Sequence, residues 1–266
     1  MAESRVDVLT LCALSATAFV AACVSHEVLG HGMACVASGG AVKLLTSVYF
    51  KCSAGLPIVD ASGPSMNLAV ALGVTIVLGR GPWSASARTF LALLVAFNGF
   101  WGAGYFLFSG ITNTGDWAFV LQDLSLEPRW LWRIAIVILG VWLYGLTLRL
   151  VAPVLPRGRV LVAAYSAAGV VACASTLFYA GATPPAMLEA AQESLLASLG
   201  LLYLAFARPR SPATLVPVLP SSRRLQALGL VVVIVFWLTQ GRGYQAPNPS
   251  TGTSEVVNGF VFSLPS

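Results

Sequence analysis

The 266 residues predict an all-α polytopic membrane protein of about seven transmembrane helices, with a short β-hairpin between the first two. Three observations carry that prediction. Hydrophobic residues make up 57% of the chain, charged residues 9%, and the mean hydropathy is +0.82. A soluble domain carries roughly 25% charged residues and could not hide so much apolar surface. Apolar runs recur that reach, or nearly reach, the roughly 20 residues a span requires. The arginines gather in alternate links between those runs, the pattern that orients a membrane protein.

The runs fall at 8–30, 64–79, 89–109, 131–151, 159–181, 187–207 and 225–240. The second and last are short and draw on their flanks. After the first, Gly39-Gly40 ends a helix, and 42–60 places Val, Thr, Tyr and Phe among Lys43, Lys51 and Asp60. With Ser53-Ala54-Gly55 as a turn, this stretch reads as two short strands. Non-helical backbone beside lipid survives only where protein or a watery cavity satisfies it, and a free strand edge there could take up an extended peptide. Gly63-Pro64 then opens the second span, proline being at home in a first helical turn.

Arg80 and Arg88 follow the second run, Arg149, Arg157 and Arg159 the fourth, and Arg208, Arg210, Arg223 and Arg224 the sixth. The links between these are acidic or nearly neutral. The positive-inside rule therefore puts the N-terminus in the cytoplasm and the polar tail 241–266 outside, in a plasma (inner) membrane. Arginines spent on topology imply no nucleic-acid partner; the partners expected are the lipid bilayer and a membrane-protein or peptide substrate. The five cysteines show no CxxC spacing, and their odd number argues against a disulfide framework. Most lie in apolar runs, where a thiol acts as a small hydrophobe.

Chemistry concentrates in His26-Glu27-Val28-Leu29-Gly30-His31, which holds the only two histidines. Ionisable residues at membrane depth are costly and point to function. Two imidazoles with a carboxylate beside one of them supply the ligands and the base of a zinc peptidase. The spacing is irregular, because the histidines are five apart and on a regular α-helix would diverge by about 140°. A π-bulge would bring them together, with Gly30 helping through its permissive backbone; otherwise the helix ends near Gly30 and His31 folds back. The structural alternatives are a Glu27–His31 hydrogen-bonded pair and close helix packing at Gly30, Gly32 and Ala34.

Three further positions join the motif. Asn67, entering the second span after Gly63-Pro64, and Asn98 in the third are polar groups that should face the bundle, where they could hold a substrate carbonyl or bond structurally. Asp116, just past the third span, is the natural third ligand, since catalytic zinc takes three protein ligands and leaves a place for water; its plain alternative is a loop acid or helix cap. Glu189 and Glu193 are the reserve. With a cytoplasmic N-terminus, His26, Glu27, His31, Asn67 and Asp116 all fall on one side of the bilayer.

Over about residues 20–120 the chain resembles the site-2 protease family of intramembrane zinc metalloproteases. The likeness lies in His-Glu…Gly-His-Gly, the Gly-Gly and hairpin region, Gly63-Pro64-x-x-Asn67 and Gly115-Asp116. It implies Zn2+ as cofactor, His26, His31 and Asp116 as ligands, Glu27 as the base that activates water, and residues 1–130 as a metalloprotease core. Residues 131–240 would add further spans, before the tail 241–266. The family's usual motif has two residues between Glu and the second His where this chain has three. Its Asn-x-x-Pro…Asp-Gly motif is also met only loosely, with Trp117 in the glycine's place. The longer spacing is similar to that of the modulator-of-gyrase metallopeptidases. Functions of other classes open to the same residues are a proton or ion relay and a non-catalytic scaffold.

Overall fold

A computed structural model describes residues 6–179, 184–207 and 218–246. Arg208, Arg210 and most of the polar tail lie outside them. The described chain is mostly helical and carries six helices long and apolar enough to cross a membrane, which marks an integral membrane protein.

The first helix, α1 (Val8–Val24), starts where Asp7 Oδ1 accepts from the Thr10 N–H at 2.8 Å, satisfying one of the open donors of the first turn. It continues through a π-helical segment, Ser25–Gly32, into α2 (Met33–Ala37), making one apolar helix of 30 residues. β1 (Val42–Leu45) and β2 (Phe50–Cys52) form an antiparallel hairpin, as expected. Its turn is not Ser53-Ala54-Gly55 but the stretch before Phe50, where Thr46 Oγ1 accepts from Val48 N at 3.1 Å and Tyr49 N at 2.7 Å. A threonine hydroxyl takes the part that was sought in a glycine.

The second long helix, α3, spans Pro57–Arg80, so Pro64 lies inside it and Pro57 occupies the first turn instead. α4 (Ala85–Thr112) follows, then the short α5 (Asp116–Asp123), α6 (Arg129–Val151) and α7 (Arg159–Ser175). The expected span at 187–207 is broken into α8 (Pro184–Ala191), a π-turn at Gln192–Leu196 and α9 (Leu199–Phe206). These pieces pack along α7 and bring the chain back to Arg157, whose guanidinium donates to Leu204 O and Ala207 O. α10 (Arg223–Phe236) and its π-turn Trp237–Gly241 lead to β3 (Tyr244–Gln245). β3 pairs with β1, giving the order β2-β1-β3 and leaving β2 at an edge among the described residues.

α1 and α4 form the centre, with Leu11, Phe19, Phe97, Phe100 and Trp101 all buried. α6 and α10 turn outward, exposing Ile138, Val141, Trp142, Leu230 and Val235, as lipid-facing helices do. Small residues let α4 and α6 meet closely: a Cβ on Gly140 would stand 2.9 Å from Leu107 Cγ. Cys35 and Cys52 form a disulfide that ties the end of the first helix to β2. The remaining described cysteines (12, 23 and 173) are free, so spacing and parity did not reveal this single bridge. The site, the sheet, the disulfide and the start of α5 all sit at one end of the bundle.

Candidate metal centre

The π-helical segment solves the spacing problem in the motif. Its wider turns bring His26 and His31 onto one face, with the Nε2 atoms 3.2 Å apart and the rings edge-to-face at 4.8 Å. Gly30 has no left-handed backbone angle; the conformation is carried by the segment as a whole. Its value is clearance, because a Cβ there would stand 2.6 Å from Gly63 Cα on α3. The packing alternative was thus correct for Gly30, and it coexists with the histidine pair.

Asp116 arrives from the opposite side. Gly115 has φ 83°, a backbone that favours glycine, and turns the chain so that Asp116 opens α5 over the histidines. Its Oδ2 lies 3.4 Å from His26 Nε2 and 3.5 Å from His31 Nε2. The three candidate ligand atoms all fall within 4.8 Å of one another. Burial pushes the Asp116 carboxyl up, and a proton on the adjoining histidines outweighs that and lowers it to about 2.

The hydrogen bonds behind the imidazoles fix their tautomers. His26 Nδ1 faces Asn67 Oδ1 at 2.7 Å. The Asn67 amide nitrogen donates to Ala22 O at 3.1 Å and to Asn98 Oδ1 at 2.9 Å, so Oδ1 is the acceptor and His26 Nδ1 carries the proton. His31 Nδ1 donates to Val59 O at 2.7 Å. In the neutral rings both Nε2 atoms therefore present lone pairs to each other and to a carboxylate oxygen, an arrangement that calls for a cation among them. Of the two uses expected for Asn67 and Asn98, holding a substrate carbonyl or bonding structurally, these fully buried amides show the second, to His26 and to each other.

Glu27 is buried and has one oxygen, Oε2, with no hydrogen-bond partner among the described residues. It is not paired with His31, so that alternative is not what the chain adopts. Aromatic rings wall the histidines: His26 stacks on Trp101 at 5.1 Å and on Tyr105 at 4.9 Å, and His31 on Phe50 at 5.3 Å. Gly63 closes the floor, where a Cβ would press on His31 Nε2 and stand 2.8 Å from His26 Nε2. Sequence reasoning missed Gly63, Val59, Phe50, Trp101 and Tyr105. Only the i, i+4 spacing of Trp101 and Tyr105 on α4 offered a signal, and such pairs are common in apolar helices.

No protein-family model, curated protein or solved structure matches the chain. The reserve carboxylates are not in the cluster of three: Glu193 accepts from the Tyr105 hydroxyl at 2.9 Å, one ring away from His26. Two imidazole nitrogens and a carboxylate oxygen are a donor set that could hold a divalent metal ion.

Proposed function

We propose that the protein is a membrane-embedded zinc metalloprotease of the site-2 protease type, which hydrolyses peptide bonds of membrane-associated substrates. The observation that carries the reading is the convergence of His26 Nε2, His31 Nε2 and Asp116 Oδ2 within 4.8 Å, with the buried Glu27 next to His26 in the chain and its Oε2 without a hydrogen-bond partner among the described residues. A zinc ion bound there lowers the pKa of its water to about 7 and polarises a carbonyl. The protein's own residues do the rest. Asn67 and Val59 hold the two rings with Nε2 forward, Trp101, Tyr105 and Phe50 shield them from bulk water, and Glu27 Oε2 takes the proton of the attacking water and returns it to the leaving amine. The edge of β2, with Phe50 already against His31, is placed to align an extended substrate by strand addition.

We place the N-terminus in the cytoplasm and the site toward the outer face, with the broken α8–α9 segment as a seventh pass. The alternating arginines support this, and so does the disulfide, since Cys35–Cys52 lies at the end of the bundle opposite the N-terminus and such bonds persist in oxidising compartments. Glu27→Gln tests the chemistry. It should keep the metal and lose at least about a hundredfold in hydrolysis of a reconstituted single-span substrate, the low end of what a general base contributes. Full hydrolysis by that variant would remove Glu27 from the mechanism, and ion flux in liposomes with no cleavage by the wild type would replace the protease with a relay.

A further inference from the structure

A cavity of about 610 Å3 opens beside the metal centre, between α4, Tyr144 of α6 and the broken α8–α9 segment. Its wall is mostly apolar, with Trp101, Tyr105, Phe108 and Leu196 among its residues, and Glu189 and Glu193 also line it. Tyr105 connects the two sites, since its ring stacks on His26 and its hydroxyl donates to Glu193.

Two features here ask for a ligand. Trp101 is 1% exposed, and its indole N–H has no acceptor among the described residues although the side chain lines the cavity. A buried donor left without an acceptor is costly, and a peptide carbonyl would satisfy it. Glu193 is 7% exposed, with Tyr105 as its hydrogen-bond donor, and among the described residues neither Glu193 nor Glu189 is in an ion pair. A cation that reaches a buried carboxylate supplies the counter-charge whose absence is costly there.

We propose that this cavity is a substrate-binding pocket for an apolar peptide segment that carries a lysine or arginine side chain, recognised by Glu189 and Glu193. The aliphatic stem of such a side chain lies along the apolar wall while its charged head meets the carboxylates, the division such residues make at any apolar boundary. Trp101 Nε1 donates to a backbone carbonyl of the same segment and fixes its register beside His26. The pocket deepens the protease reading, on which its place next to the cleaved bond rests, but the binding itself is measurable without cleavage.

The test uses the full-length protein in lipid nanodiscs and two fluorescent Leu/Ala peptides, one with a single lysine and one with norleucine in its place. The wild type should bind the lysine peptide about tenfold more tightly, the order expected for a partly buried charge pair. Glu189→Gln/Glu193→Gln should abolish that preference, leaving the norleucine affinity and the bound zinc unchanged. Equal affinity for the two peptides in the wild type, or an undiminished preference in the double variant, overturns the proposal. Gly104→Leu gives a second route, because its Cβ would meet Ala197 at an ordinary 3.5 Å while its side chain fills the cavity. It should weaken both peptides by at least about tenfold, and unchanged binding would place them elsewhere. Lysine preference without hydrolysis would sink the protease reading and keep the pocket; hydrolysis without preference would do the reverse.

Discussion

A methyl group at Gly63 would stand against both imidazole nitrogens, 2.8 Å from His26 Nε2 and closer still to His31 Nε2. That is where a metal needs room, so Gly63→Ala should lower zinc affinity by about ten- to a hundredfold, comparable to losing an outer-shell partner, while leaving helicity intact. Circular dichroism and a chelator competition would measure the two together; unaltered affinity would mean that the ion sits away from the Nε2 atoms. His26, Glu27, His31 and Asp116 were legible in the sequence because their side chains carry the chemistry themselves. Gly63 was not, because its contribution is an absence of atoms. Val59 contributes a backbone carbonyl, which any residue type but for its conformation could supply. Asn67 and Asn98 were found as polar residues in apolar helices, but their use in orienting His26 depends on which helices touch, and spacing along one chain does not tell that.

The π-helical segment Ser25–Gly32 gives the motif its extra residue, and a deletion tests it directly. Removing Leu29, which is exposed, leaves two residues between Glu27 and the second histidine and lets a regular α-helix put both imidazoles on one face, about 40° apart. The deletion variant should therefore still bind one zinc per chain. Loss of the metal with the fold retained would mean that the wide turns do more than absorb one residue. The long apolar elements were the most legible: six of the seven apolar runs fall in long helices, and a hairpin lies within the stretch 42–60, though with another turn. Local chemistry hid the rest. Thr46 makes the hairpin turn without glycine, Pro57 starts α3 seven residues before the Pro64 that was taken for its first turn, and the break between α8 and α9 at Ala197 and Ser198 has no proline to announce it. β3 was illegible because its partner, β1, lies about two hundred residues earlier.

At the scale of the whole molecule, one end of the bundle holds the proposed centre, the sheet and the Cys35–Cys52 bridge, and the links that carry Arg80, Arg88, Arg149, Arg157 and Arg159 belong to the other. If the first end faces outward, Cys35 and Cys52 in intact cells should resist a membrane-impermeant maleimide until a reductant is added, and then react. The bridge closes a loop across a separation of 17 residues, so the Cys35→Ser/Cys52→Ser variant should be less stable by about 3 kcal/mol in thermal unfolding. Labelling without reductant would contradict the bridge, and protection that persists after reduction would contradict the orientation. Composition makes the membrane readable, yet the bridge escapes it, since a single pair among five cysteines leaves no spacing to recognise. Whether His26, His31 and Asp116 hold a metal is read from zinc per chain in the purified protein, with His26→Ala/His31→Ala beside it. About one zinc is expected in the wild type and none in the variant, the ratio set by a single three-ligand site. A well-folded wild type without zinc, or a variant that keeps it, would contradict the metal centre itself.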